Sequence, residues 1–372
     1  MTPIFQKISQ SSGLELDLIV TGMHLLPEFQ CSLNQVVMDN FGKLHYAGML
    51  LGEDNGKAMA QSVGLAVYGM AAVMEAVGPD LILLQGDRDE MLAGAIAGAH
   101  MNIPVCHMSG GDYSGSIDDS IRNAISKFSH IHLTTCALST QRLLAMGEKA
   151  GRIFEVGEPG LDVIKNMDYI PAAELAKEFH LDLNLPLVLA TQHPVTTESD
   201  QAARQITQTL EALAELKLQT IFTYPNTDAG GREMVKVLQR YWDRDFIRIV
   251  PNLGSTKYLS LMRIASVLVG NSSSGILEAP SFKLPVVNIG TRQHGRLKAC
   301  NIIDTGYSKA EIMAAIRLAV EDRSFGAVLQ QNCINPYGDG TTAQKTVALL
   351  TRLKLSPALI NKWRTDNDDC FV

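Results

Sequence analysis

Residues 270–296 read GNSSSGILEAPSFKLPVVNIGTRQHGR and follow a short apolar run at 266–269. A strand that ends in glycine and serines before a helical pattern offers free backbone N–H groups, hydroxyl donors and the positive end of a helix dipole. That combination can hold a phosphate. Ser272 and Ser273 are the candidate donors, although a serine N-cap explains the same residues and no P-loop GK[ST] is present. Glu278, one helical turn beyond Ser274, suits the two hydroxyls of a ribose. Arg292, after the next apolar run at 286–289, can neutralise phosphate charge. His193 follows another such run, and Pro194 holds it in a loop, where a histidine is often only structural. Asp87 and Arg88 lie after a run at 81–84, and Asp112 and Asp119 after one at 104–107. Three carboxylates at strand ends suit proton transfer or stabilisation of a cation, and two of them, Asp87 and Asp119, suit helix N-caps equally well.

The elements that must position these residues follow from the alternation of apolar runs with helical patterns. Expected strands are 16–20, 81–84, 104–107, 131–134 and 152–156, then 187–190, 219–223, 247–250, 266–269 and 286–289. Patterns such as 58–76 and 90–101 carry apolar residues at helical spacing between them. Strand–helix alternation implies parallel sheets covered on both faces. Two such series predict an α/β chain of two Rossmann-like, doubly wound domains, 1–166 and 167–350, with a tail at 351–372. Open α/β sheets bind ligands at the carboxyl ends of their strands, which is where the polar motifs fall. A ligand cleft between the two domains is the expected consequence.

Composition narrows the classes. The 372 residues are 46% hydrophobic and 19% charged, enough for two sizeable cores, and the net charge of −7 speaks against a nucleic-acid or membrane-binding surface. No apolar run reaches about 18 residues, so no membrane-spanning helix is expected. The opening MTPIFQKISQSSG lacks the features of a secretory signal. Cys31, Cys106, Cys136, Cys300, Cys333 and Cys370 are scattered without a CxxC pair, which predicts reduced cytoplasmic thiols and no zinc site. The DxD pattern occurs at 87–89 and again at 243–245, too common to imply a metal. GxSxG, HExxH and a complete dinucleotide fingerprint are missing, so no cofactor is expected.

Taken as a set, DLIVTGMH, GDRDEMLAGAIA, IPVCHMSGGDYSGSIDDSIRNAISKFSHIHL, VGEPGLD, TQHPVTTE, YPNTDAGG, the 270–296 segment and NPYGDG run in order along almost the whole chain. In this set the chain resembles the hydrolysing UDP-N-acetylglucosamine 2-epimerases of bacterial sialic-acid and related nonulosonic-acid synthesis. The resemblance implies a glycosyltransferase-B-like fold and a nucleotide-sugar partner. It implies Ser272 and Ser273 at the diphosphate, Glu278 at the ribose, and Arg292, Asn226 and His193 at the nucleotide or its phosphates. Arg88, Asp87, Asp112 and Asp119 would lie at the sugar, and Leu253 is a candidate for the base. By analogy the chain would be a homo-oligomer. Two departures stand out. The family opens with a strand and a Gly-Thr/Ser-Arg turn, whereas this chain opens where the following helix is expected, which predicts a first sheet lacking a central strand. Many relatives also carry Glu where this chain has Asp112 or Asp119, and His where it has Asn123.

The implied reaction eliminates UDP from UDP-N-acetylglucosamine to give 2-acetamidoglucal, then adds water with inversion at carbon 2 to release N-acetylmannosamine. Phosphate donors stabilise the leaving group without a required metal. Asp87, Asp112 and Asp119 share the cation and the proton, with the individual assignment left open. The alternatives are a GDP-linked substrate, a non-hydrolysing epimerase and an inactive nucleotide-sugar binder.

Overall fold

A computed structural model describes residues 1–25, 30–49, 56–114, 118–226 and 228–362. The chain forms two compact units, Met1–Asp162 together with Tyr337–Val372, and Val163–Pro336. The division differs from the one expected at 166 and 350, because residues 337–350 pack with the first unit. The cause is local. The Asp162 carboxylate accepts the backbone N–H groups of Thr342 at 2.8 Å and Ala343 at 2.7 Å, which anchors the start of the helix Thr342–Leu350. Ala343 and Val347 then join Ile4, Ile8, Cys106, Met108, Ile131 and Leu133 in one core. Arg152 donates to the carbonyls of Leu359 and Ala358, so the expected tail lies against the same unit as far as it is described. Residues beyond 362, Cys370 among them, and the side chain of Cys31 lie outside the described residues.

The first unit contains β1 Asp17–Thr21, β2 Lys43–Ala47, β3 Ile82–Gln85, β4 Val105–Met108, β5 Ile131–Thr134 and β6 Ile153–Glu155. These form a two-stranded sheet, β1-β2, and a four-stranded sheet, β3-β4-β5-β6, with every pairing parallel. Among the described residues no strand joins β1 to β3. Every residue of β4 and β5 is buried, as a parallel strand covered on both faces requires. The covering helix Asp89–His100 buries Ala93, Gly94, Ala95, Ala97 and Gly98, small residues that let it sit close to the sheet. The helix Gly56–Val77 is long and apolar enough to span a membrane by length and composition, which sequence analysis does not anticipate. Its inner stripe, Ala58, Ser62, Ala66, Met70 and Met74, is buried in the unit.

The second unit holds one six-stranded parallel sheet in the order β12-β11-β10-β7-β8-β9. Its strands are β7 Leu187–Thr191, β8 Gln219–Thr223, β9 Ile247–Val250, β10 Val267–Gly270, β11 Val286–Ile289 and β12 Ile302–Thr305. Alternation along β7 sends Val188 and Ala190 into one core and Leu187 and Leu189 into the other. Of the twelve strands among the described residues, ten match expected apolar runs to within a residue or so at their ends; β2 and β12 match none. Both omitted strands edge their sheets, and only Ala47 among their residues is buried, so neither carries the apolar run that marks the others.

Candidate active site

The parallel sheets aim the carboxyl ends of their strands in one direction within each unit, and the candidate residues follow those ends. In the first unit Asp87 lies two residues past β3 and Asp112 four past β4. Asp87 Oδ2 accepts hydrogen bonds from the Arg122 guanidinium and, at 3.0 Å, from Ser114 Oγ. Arg122, with only 7% of its side chain exposed, also donates to Ser109 O at 2.7 Å and to Ser114 Oγ at 3.0 Å. Asp119 Oδ1 accepts the backbone N–H of Ser114 at 2.7 Å, so it braces the loop that carries Asp112. Asp112 Oδ1 accepts two hydroxyls from just beyond β5, Thr135 at 2.6 Å and Ser139 at 2.5 Å. Among the described residues its Oδ2 has no partner.

His107, at the centre of β4, holds this arrangement from behind. Its Nε2 bonds the carbonyl of Gly86 at 2.8 Å and its Nδ1 bonds Ser126 Oγ at 3.0 Å. A carbonyl only accepts, so Nε2 carries the proton and Nδ1 accepts from Ser126. Burial, more than any neighbour, pushes His107 down to about 3, so it stays neutral and rigid beside Asp87. Arg88 makes no hydrogen bond or ion pair with this group among the described residues, and its nearest carboxylate is that of Glu90. Its side chain is 74% exposed and comes within 3.8 Å of Glu90. The first unit therefore brings Asp87 together with Asp119 through Ser114, and leaves Arg88 outside that network.

In the second unit the hub is Asn271, directly after β10. Its side-chain oxygen accepts the His193 backbone N–H at 2.6 Å, and its side-chain nitrogen donates to the His193 carbonyl at 2.8 Å. Its own carbonyl accepts from Arg292 at 3.1 Å and from Gln293 at 2.8 Å. Gly270 makes this possible: with φ at +130°, it crosses so close to β7 that a Cβ would lie 1.9 Å from the carbonyl oxygen of Thr191. His193 Nδ1 accepts the backbone N–H of Asn226 at 3.0 Å. Its proton therefore sits on Nε2, which has no partner among the described residues. Burial first, and the nearby Arg292 second, push His193 down to about 4. Asn226 donates to Asp228 at 2.6 Å, and its buried amide oxygen has no partner among the described residues.

The serines divide their labour. Ser274 hydrogen-bonds Tyr258 at 2.8 Å and Ser272 at 2.9 Å, which fixes the turn. Ser273 sits at the N-cap of the helix Ser274–Leu277 but makes no side-chain capping bond, so capping does not account for its hydroxyl. That helix is only four residues long, which leaves the donors rather than a macrodipole to attract an anion. Glu278 terminates it, near the hydroxyl of Tyr258. Leu253 precedes the helix Gly254–Ile264 and packs partly buried against a core cluster. Glu198 accepts Thr291 at 2.7 Å, Tyr307 at 2.8 Å and Gln205 at 2.7 Å. The hydrogen bond from Thr291, foremost, holds its carboxyl below the usual range and pins the loop bearing Arg292. His193, Asn226 and Arg292 thus converge on one point, with Ser272 and Ser273 following Asn271 in the chain. Arg122, His107, Asn271 and Glu198 lie inside the quoted motifs but carry no signal of their own in the sequence. No group of three or more metal-ligating side chains occurs among the described residues.

Residues 6–351 match the family model of UDP-N-acetylglucosamine 2-epimerase. The UDP-N,N'-diacetylbacillosamine 2-epimerase (hydrolyzing) of Legionella pneumophila is 36% identical over 97% of this chain and 94% of its own length. The GDP/UDP-N,N'-diacetylbacillosamine 2-epimerase (hydrolyzing) of Campylobacter jejuni is 39% identical over 80% of this chain and 79% of its own. Among solved structures, a UDP-GlcNAc 2-epimerase from Neisseria meningitidis superposes with a TM-score of 0.72 at 18% identity, covering 94% of this chain and 95% of that one. The two-Rossmann, glycosyltransferase-B-like fold class expected from the sequence is the one these structures share, and the chain belongs to the UDP-N-acetylglucosamine 2-epimerase family.

Proposed function

We propose that this chain is a hydrolysing 2-epimerase of a UDP-linked 2-acetamido sugar. The reading rests above all on His193: a neutral imidazole that presents an unpartnered Nε2–H beside the Arg292 guanidinium is suited to a leaving diphosphate. Because His193 stays neutral near pH 7, it donates a hydrogen bond without itself titrating, and Arg292 supplies the charge. Ser273, and Ser272 in part, add hydroxyl donors. Glu278 is assigned to the ribose, and the second unit as a whole to the nucleotide.

The first unit is assigned to the sugar. Asp112 is the group we assign to the carbon 2 proton. Asp87 is committed to Arg122 and Ser114, and Asp119 to the backbone of Ser114, whereas Asp112 is oriented by two hydroxyls on one oxygen and keeps the other for reaction. In the elimination the carbon 1–oxygen bond to UDP breaks, the carbon 2 proton passes to Asp112 and a carbon 1–carbon 2 double bond forms. Water then adds hydroxyl to carbon 1 and a proton to the opposite face of carbon 2. The Legionella and Campylobacter relatives favour a 2,4-diacetamido sugar beside the expected UDP-N-acetylglucosamine, and the second, a GDP/UDP-sugar epimerase by name, makes a GDP-linked donor the alternative. The reading also takes the chain to be a homo-oligomer by analogy, and cytoplasmic, in keeping with free thiols at Cys106, Cys136, Cys300 and Cys333.

The test is a proton and phosphorus NMR time course in deuterated water. UDP-N,N'-diacetylbacillosamine, UDP-N-acetylglucosamine and their GDP counterparts are offered in equal amounts. Release of nucleotide with a free sugar inverted and deuterated at carbon 2 is the expected result. An epimer still attached to its nucleotide, or binding without turnover, refutes it.

A further inference from the structure

One helix sets the sugar-side carboxylates. The helix Asp118–Phe128 buries Arg122, Ile125 and Ser126. Arg122 and Ser126 are four residues apart and so share a face. Arg122 donates to Asp87, and Ser126 bonds His107, which fixes the carbonyl of Gly86, the residue before Asp87. Asp119, in the first turn, braces Ser114 and with it the loop of Asp112. A slide or rotation of this helix would therefore move all three carboxylates together.

A residue far along the chain holds the carboxyl end of that helix. Lys362 Nζ donates to the carbonyls of Ser126 at 3.1 Å and Lys127 at 3.2 Å, and to Glu148 Oε2 at 2.6 Å. An ammonium has three donors, and here each has an acceptor. A cation is also the charge that the carboxyl end of a helix favours. The Lys362 side chain is buried and that of Glu148 fully so, and lysine is rarely buried unless it is paired. Two devices keep the ammonium in place. Arg152 donates to the carbonyls of Leu359 at 2.7 Å and Ala358 at 3.2 Å, which brings the chain inward just before Lys362. His132 and Lys127 bond Glu148 at 3.0 Å and 2.9 Å, which holds the carboxylate toward Lys362. An ion pair that served stability alone would be complete without the two carbonyls, and those carbonyls belong to the turn that carries Ser126. We infer that Lys362 is a positioning residue for the sugar half of the reaction, its ammonium fixing the end of the helix that seats Arg122 on Asp87 and Ser126 on His107. The inference rests on the proposed assignment of the first unit to the sugar.

Initial rates of nucleotide release and imidazole nitrogen shifts, both on the full chain, test it, with thermal unfolding to choose a temperature at which every variant is folded. Lys362→Met keeps the length of the side chain and removes the ammonium. It should lower kcat roughly 10-fold to 100-fold, as a displacement of about 1 Å at a reacting group does. KM should stay unchanged, because the nucleotide is assigned to the second unit. The Nδ1 resonance of His107, assigned with His107→Gln, should move as its bond from Ser126 is disturbed. The double variant Lys362→Met/Glu148→Gln removes both charges, so no carboxylate is left buried without its lysine. It should regain most of the unfolding midpoint and keep the loss of kcat. Lys127→Met takes another cation from Glu148 but leaves both bonds from Lys362 to the helix end. It should lower the midpoint and leave kcat and the His107 resonance as in wild type. Wild-type kcat or an unmoved His107 resonance in Lys362→Met, a double variant that regains kcat along with stability, or an equal loss of kcat in Lys127→Met would each reduce Lys362 to a stabilising ion pair and overturn the inference. Should Lys362→Met fail to fold, the double variant carries the same readouts. A wild type that releases no nucleotide refutes the functional reading instead, and the His107 resonance still decides whether Lys362 sets the helix.

Discussion

His193 offers the sharpest test of how the second unit handles the leaving group. Burial and the neighbouring Arg292 hold its imidazole near 4, below the ordinary value of 6.5. At pH 6 a group titrating near 4 is about 1% protonated, whereas an ordinary histidine is about three-quarters protonated. The protonation state matters because Nδ1 accepts from the Asn226 backbone N–H. An imidazolium has no lone pair for that bond, so protonation would turn donor against donor and push the Asn226 loop away. Nucleotide-release activity that depends on neutral His193 should therefore persist from pH 8 to pH 6 and show no loss at 6.5. The assay pairs initial rates of nucleotide release with imidazole nitrogen shifts in histidine-labelled protein, His193→Gln identifying the resonance. Removing the cation with Arg292→Gln should move the His193 midpoint upward, though not to its ordinary value, because burial is the larger cause. A His193 midpoint near 6.5 in the wild-type protein, or one that Arg292→Gln leaves in place, refutes this account.

Two further perturbations separate chemistry from scaffolding. Asp112→Asn should lower turnover roughly 100-fold to 10,000-fold with nucleotide affinity retained, whereas Asp87→Asn should also cost thermal stability, because it leaves buried Arg122 without its carboxylate; near-normal turnover in Asp112→Asn would remove it from the proton-transfer role. Glu148 is buried, which alone would raise its pKa, but bonds from His132, Lys362 and Lys127 outweigh burial and bring it to about 2. Its contribution is present above the ordinary value of 4.5 and lost as pH falls toward 2, and Glu148→Ala should cost roughly 3–5 kcal/mol in urea unfolding at pH 7, a loss that an unchanged midpoint would deny.

What sequence makes legible depends on whether a residue's job is written in its own chemistry or in its neighbours'. Strands such as β7 and β11 announce themselves because every residue is buried, and the motifs after them announce themselves because polar side chains at strand ends have few other reasons to gather. The serines, His193 and Arg292 are singled out as candidates this way. Asn271 is not, although it stands inside the most conspicuous motif of the chain. Its task is to tie two backbones together, and that task exists only once β10 lies beside β7 in a register that pairs Gly270 with Thr191. The same register explains why a glycine must precede it. Asp87 shows the converse. Its type and position read as reactive, yet Arg122, more than thirty residues further on, occupies its carboxylate from a helix face that spacing alone does not connect to it. A carboxylate's neighbours decide whether it receives a proton or holds a loop. On the proposed reading that decision favours Asp112, whose two hydroxyl donors, Thr135 and Ser139, come from beyond the next strand.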